Sequence, residues 1–153
     1  MVSTTICESV GVVIKNEQGE YLAVKRKLKP LGWGLPAAHI IDEKTRARGD
    51  PGDVIRRVVL DETGIRLINI YQLAGGGRIV SMENGCRRGF KTHFCYLYGV
   101  RSYDGVAKVM KPEKHERVEF VSAACLKELE KNELTDPVWF KFILPDLRKQ
   151  GLL

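Results

Sequence analysis

Residues Asp50 to Ile65, DPGDVIRRVVLDETGI, constrain the chain more than any other stretch. Asp50 can cap the free amides of a helix, Pro51 suits the first helical position, and Asp53 sits where a reciprocal cap would. Gly64 can take the left-handed conformation that stops the helix. With about 100° of rotation per residue, Val54, Ile55, Val58 and Val59 form one apolar stripe, and Glu62 falls in its middle. Asp61 lies at the edge of the stripe. Both acids occupy the last turn, where the helix dipole disfavours negative charge. An ordinary amphipathic helix with a frayed end would show the same residues. A cation or a polar substrate explains better why two acids stand at the wrong end, one of them on the buried side.

With 153 residues the chain is expected to form one domain, 1–153, large enough to bury a core without staples. A composition of 44% hydrophobic and 29% charged residues is that of a soluble globular protein, and no apolar run is long enough to cross a bilayer. The first residues, MVSTTICESV, lack the basic start and apolar core of a secretion signal, which predicts a cytoplasmic location. Cys7, Cys86, Cys95 and Cys125 are widely separated, so they read as reduced thiols used in packing, and a structural zinc is not expected. The net charge of +6 favours anionic partners, either phosphate-bearing small molecules or nucleic acid.

Along the chain, Ser9 to Lys15 and Tyr21 to Lys27 read as strands joined through Asn16-Glu17-Gln18-Gly19, a hairpin. Lys25, Arg26, Lys27 and Lys29 form a basic cluster that either guards a solvated edge or contacts phosphates. Gly32 to Ala38 is too rich in Gly and Pro for a regular element, and His39 to Gly49 reads as an exposed connection. Arg66 to Leu73 reads as a strand that Ala74-Gly75-Gly76-Gly77 breaks or bulges. A loop over Glu83 to Gly89 precedes a long strand from Phe90 to Val100, on which Lys91, His93 and Cys95 share one face. Tyr103-Asp104-Gly105 reads as a turn, Lys111 to Arg117 as a charged segment, and Val118 to Val121 as a short strand. Ser122 can cap a helix to about Asn132, and Asp136-Pro137 opens another that Pro145 splits or kinks. This order predicts an α/β (α+β) domain, a mixed β-sheet sandwiched between helices.

Trp33-x-Leu35-Pro36, followed by a helix ending Arg57-x-x-x-Asp61-Glu62-x-Gly64-Ile65, resembles the Nudix hydrolase superfamily, whose signature is G-x5-E-x7-R-E-U-x-E-E-x-G-U with U aliphatic. Arg57, Val59, Asp61, Glu62, Gly64 and Ile65 fit its second half. The usual Leu-Pro-Gly-Gly is Leu35-Pro36-Ala37-Ala38 here, and Ala38 to Arg57 covers 19 positions against 14 in the signature. Val58 stands where most members have a Glu that helps bind the catalytic divalent ion. The GDP-mannose mannosyl hydrolase branch is similar in also having an aliphatic residue there. It is similar too in Thr92-His93-Phe94 and in Pro112-Glu113-Lys114-His115-Glu116. In that branch the histidine matching His115 is the general base, the Glu matching Glu62 binds metal, and hydrolysis breaks the bond at the sugar carbon. Lys114 replaces a metal-binding Gln of the branch, and His39 replaces an Arg.

The resemblance implies a catalytic pair of His115 and Glu62 and a magnesium site at Glu62, Asp61 and Ala38, with manganese as a substitute. The chemistry suits the residues directly, since carboxylates are hard oxygen ligands and a histidine titrates near neutrality. Arg26, His93 and Lys114 are expected to contact phosphates or the leaving group. Arg57 is expected to pair with Asp53 or Asp61, with substrate contact as the alternative. The expected function is magnesium-dependent hydrolysis of a nucleoside diphosphate linked to another group, a nucleotide sugar cleaved at its carbon being one form and ordinary pyrophosphate cleavage the other. A silenced domain that binds a nucleotide without turnover is a second reading. A nucleic-acid-binding module is disfavoured because no groove-reading helix or stacking motif is present. The partner is therefore a small molecule, with no membrane involved and a homodimer allowed for.

Overall fold

A computed structural model of the chain describes residues 6–28, 31–81 and 88–153. The expectations for Lys29, for Glu83 to Arg87 including Cys86, and for the first five residues lie outside them. Helix α1, Pro51–Thr63, is bounded by its own sequence: Asp50 accepts a hydrogen bond from the Asp53 amide at 3.1 Å, and Gly64 takes φ 77° and donates to the Leu60 carbonyl. Strand β1, Ile6–Val13, pairs antiparallel with β4, Ala37–His39, and parallel with β6, Thr92–Gly105. Strand β5, Ile65–Ser81, closes that sheet antiparallel to β6, giving the order β4-β1-β6-β5. A second sheet has the order β3-β2-β7, with β2 Tyr21–Arg26, β3 Gly32–Gly34 and β7 His115–Val121. The predicted mixed α+β architecture is the one observed.

The period of the strands decides what packs where. Val10, Val12 and Ile14 of the first strand region, with Leu22 and Val24 of β2, bury against Val54, Ile55 and Val59 of α1. The intervening residues Val13, Tyr21 and Ala23 join the opposite core. That core is built on helix α2, Ala123–Asn132, a π-helical segment Val138–Ile143, and helix α3, Leu144–Lys149. Both faces of β1 and β2 are thus buried. Gly11 is required at its position because a Cβ there would stand 2.6 Å from the Trp139 ring.

Several expectations change in detail. The hairpin forms only at its tip, where the Leu22 amide donates to the Ile14 carbonyl, and its strands then part into different sheets. Tyr103-Asp104-Gly105 is not a turn: it ends β6 opposite Leu67, Arg66 and Ile65, held by the Arg66–Asp104 ion pair across the ladder. The Ala74 to Gly77 run does bulge β5, with Ala74, Gly75 and Gly76 at positive φ. His93 and Cys95 share a buried face, while Lys91 precedes the strand and is exposed. Strand β7 begins three residues early, at His115, which pairs with Arg26 beside a bulge. Pro145 does fall at a division, at the start of α3 directly after the π-helical segment.

Candidate active site

A cavity of about 590 Å³ opens between the end of α1, strand β4, the 40–49 connection and the start of β7. The helix contributes Val54, Arg57, Val58 and Glu62 to its wall, and β4 contributes Ala37, Ala38 and His39. Arg26 and the neighbouring pair Lys114 and His115 face them. The inward position that helical periodicity gives Glu62 places its carboxylate, 16% exposed, against that pair. Lys114 Nζ stands 3.2 Å from Glu62 Oε1, and His115 Nε2 stands 3.8 Å from Oε2. The second distance is too long for a hydrogen bond. Nδ1 of His115 is buried without a hydrogen-bond partner among the described residues.

Charge in this cavity is mostly positive. Arg26, Arg48, Arg57, Arg88 and Lys114 line it, against Glu62 and Asp42. Arg48 is already used, its guanidinium bridging Glu8 and the Tyr96 hydroxyl, and Arg88 donates to the Ile41 carbonyl at 2.7 Å. Arg57 forms no ion pair with Asp53 or Asp61 among the described residues, contrary to the expectation from their spacing; its side chain goes to the cavity instead. Burial lowers the pKa of His115, outweighing the raising effect of Glu62, and Arg26 and Lys114 lower it further. The imidazole is therefore neutral at pH 7. Asp61 is exposed on the outer side of α1 and is not part of the cavity wall, whereas Ala38 is.

A smaller cavity of about 80 Å³ adjoins the first and shares Arg26, Ala37, Ala38 and His39 with it. His93, Cys95, Asp136 and Trp139 line its far side. His93 is 3% exposed, is kept neutral by burial, bonds to the Phe90 backbone, and leaves Nε2 buried without a partner among the described residues. Asp136 accepts from the Val138 amide at 2.9 Å, and burial raises its pKa to about 6. His93 therefore lies in this second cavity and not with Glu62. Sequence alone does not mark Asp136 or Arg88 as site residues: an Asp before a Pro reads as a helix opener, and Arg88 falls in a stretch that reads as a loop between strands.

The sequence matches the NUDIX domain family model over residues 6–141. The chain belongs to the Nudix family. No curated protein sequence matches it. Among solved structures, a MutT protein from Methanosarcina mazei is similar at TM-score 0.63 and 19% identity, covering 99% of each chain. The NUDIX domain of Shewanella oneidensis NrtR, in complex with ADP ribose, is similar at TM-score 0.64 and 19% identity, covering 100% of this chain and 91% of that one. An Ap4A hydrolase from C. elegans is similar at TM-score 0.59 and 15% identity, covering 94% and 95%. At these identities the likeness shows the fold. No helix among the described residues of this Nudix domain is long and apolar enough to cross a membrane.

Nudix membership implies a divalent cation, and the donor set can be tested against one. A hard cation needs several oxygen ligands. Among the described residues Glu62 is the one carboxylate that α1 and β7 bring to the cavity wall, Val58 presents methyl groups one turn earlier, and Lys114 already neutralises Glu62. Among the described residues no group of three or more His, Cys, Asp or Glu side chains is placed to hold a metal. The residues present do not fit a protein-held divalent ion.

Proposed function

We propose that this Nudix domain hydrolyses a nucleoside diphosphate joined to a second group, with His115 as the base. The observation that carries this reading is the neutral His115 imidazole in the wall of a cationic cavity, beside Glu62. Arg26, Arg57 and Lys114 hold the diphosphate, and Glu62 stabilises the imidazolium as it forms. For cleavage at the sugar carbon, a water oxygen bonds to that carbon while its proton passes to His115 Nε2. In the same step the bond from that carbon to the diphosphate oxygen breaks, its electron pair leaving on the diphosphate, whose charge the basic side chains receive. The smaller cavity offers two acceptors, His93 Nε2 and the Asp136 carboxylate, to N–H groups of the base. ADP ribose in the NrtR complex and the substrate named for the Ap4A hydrolase belong to the same nucleotide chemistry.

The test is a screen of nucleotide sugars, dinucleotides and triphosphates in ¹⁸O-labelled water, with products read by mass spectrometry. Label in the released sugar is the expected result. Label in phosphate moves the cleavage to phosphorus and overturns the carbon-centred step. The Lys114–Glu62 ion pair and Val58 favour one second reading, a domain that binds the same ligand without turnover. Saturable binding with no product in any reaction would establish it in place of hydrolysis.

A further inference from the structure

Four observations meet at one point of the cavity. Lys114 Nζ lies on the Glu62 carboxylate at 3.2 Å. Val58, one helical turn before Glu62, offers no second oxygen. The backbone that carries the ammonium is held in place, because the Lys114 amide donates to Lys111 O at 2.9 Å and its carbonyl accepts from Lys27 N, directly after β2, at 2.8 Å. Arg57 brings a further positive charge to the same wall. A divalent ion arriving at Glu62 would have to displace the Lys114 ammonium, in a cavity wall to which Arg57 adds further positive charge.

We infer that Lys114 takes the place of the divalent cation: its ammonium, fixed on Glu62, gives the cavity a built-in positive charge and makes diphosphate binding independent of metal. This rests on the cavity being a diphosphate site. A Lys is a compact point charge with three donors, so it can face Glu62 and a phosphate oxygen together. It does not withdraw electron density as a metal does. Phosphate charge is then neutralised by side chains alone, which leaves the site suited to a diphosphate that binds or departs whole.

The experiment titrates Mn²⁺ by electron paramagnetic resonance into the full chain, into Lys114→Met and Lys114→Gln, and into Lys114→Met combined with Glu62→Gln. Circular dichroism confirms the fold of each. The wild type should leave Mn²⁺ free, either single variant should bind it at least about tenfold more tightly, and the double variant should lose that gain. Mn²⁺ binding to the wild type as tight as to both single variants overturns the inference. In parallel, inorganic pyrophosphate should raise the wild-type melting temperature equally in EDTA and in magnesium, and that of Lys114→Met only in magnesium. A wild type stabilised only with magnesium, or not at all, overturns it as well. None of these readouts requires turnover, so they stand apart from failure of the hydrolysis screen.

Discussion

His115 Nε2 stands 3.8 Å from Glu62 Oε2, a strand-start imidazole facing a helix-end carboxylate. The pair sets a pH dependence with a definite sign. Burial lowers the histidine pKa below its ordinary 6.5, so the neutral base dominates at pH 7 and the rate should fall as pH drops below 6.5 through the lowered value. His115→Ala should reduce kcat by about 10²–10⁴-fold and lose that acid limb. A variant that keeps both the rate and the limb under steady-state kinetics places the base elsewhere.

Val58→Glu tests the geometry of the helix face. Val58 is partly buried in the cavity wall, one turn before Glu62, so a carboxylate there adds a like charge at i, i+4 and supplies a second oxygen donor. Without metal the variant should lose on the order of 2 kcal/mol. Millimolar magnesium should raise its melting temperature and leave the wild type unmoved. Indifference to magnesium of Val58→Glu both alone and combined with Lys114→Met would mean that position 58 does not face the site.

Asp136 gives a second pH effect, of opposite sign to the usual carboxylate case. Its folded-state pKa is raised from 3.8 to about 6, so the folded state binds the proton more tightly and the cost of ionising the buried acid is complete above pH 6. Stability from this group falls as pH rises from about 4 to 6, by on the order of 3 kcal/mol. Asp136→Asn keeps the acceptor for the Val138 amide. Urea titrations should show the wild type losing ground to this variant as pH rises, and parallel curves would refute the assignment.

Arg57 lines the cavity and pairs with neither neighbouring acid among the described residues. Arg57→Ala should therefore leave stability within about 0.5 kcal/mol of wild type. Pyrophosphate affinity should drop about tenfold, as expected for one charge-assisted contact. Calorimetry reads the second and thermal unfolding the first; an unchanged pyrophosphate affinity would remove Arg57 from the binding site.

What the sequence determined by itself was carried by neighbours along the chain. Asp50, Pro51 and Gly64 set the bounds of α1 through backbone capping, and the helical period turned Glu62 inward, because both effects act within one or two turns. The order of apolar runs likewise fixed the mixed α+β class. The tertiary structure decided what meets Glu62. Lys114 and His115 reach it from more than 50 positions away because β7 pairs with β2 in a register that sets His115 opposite Arg26. The same holds for His93 on β6 and Asp136 ahead of the π-helical segment, which line one cavity with Trp139. Arg57 shows the limit in reverse: spacing alone offered it Asp53 and Asp61, but a solvated i, i+4 pair is worth only a few tenths of a kcal/mol, and the cavity took the side chain instead.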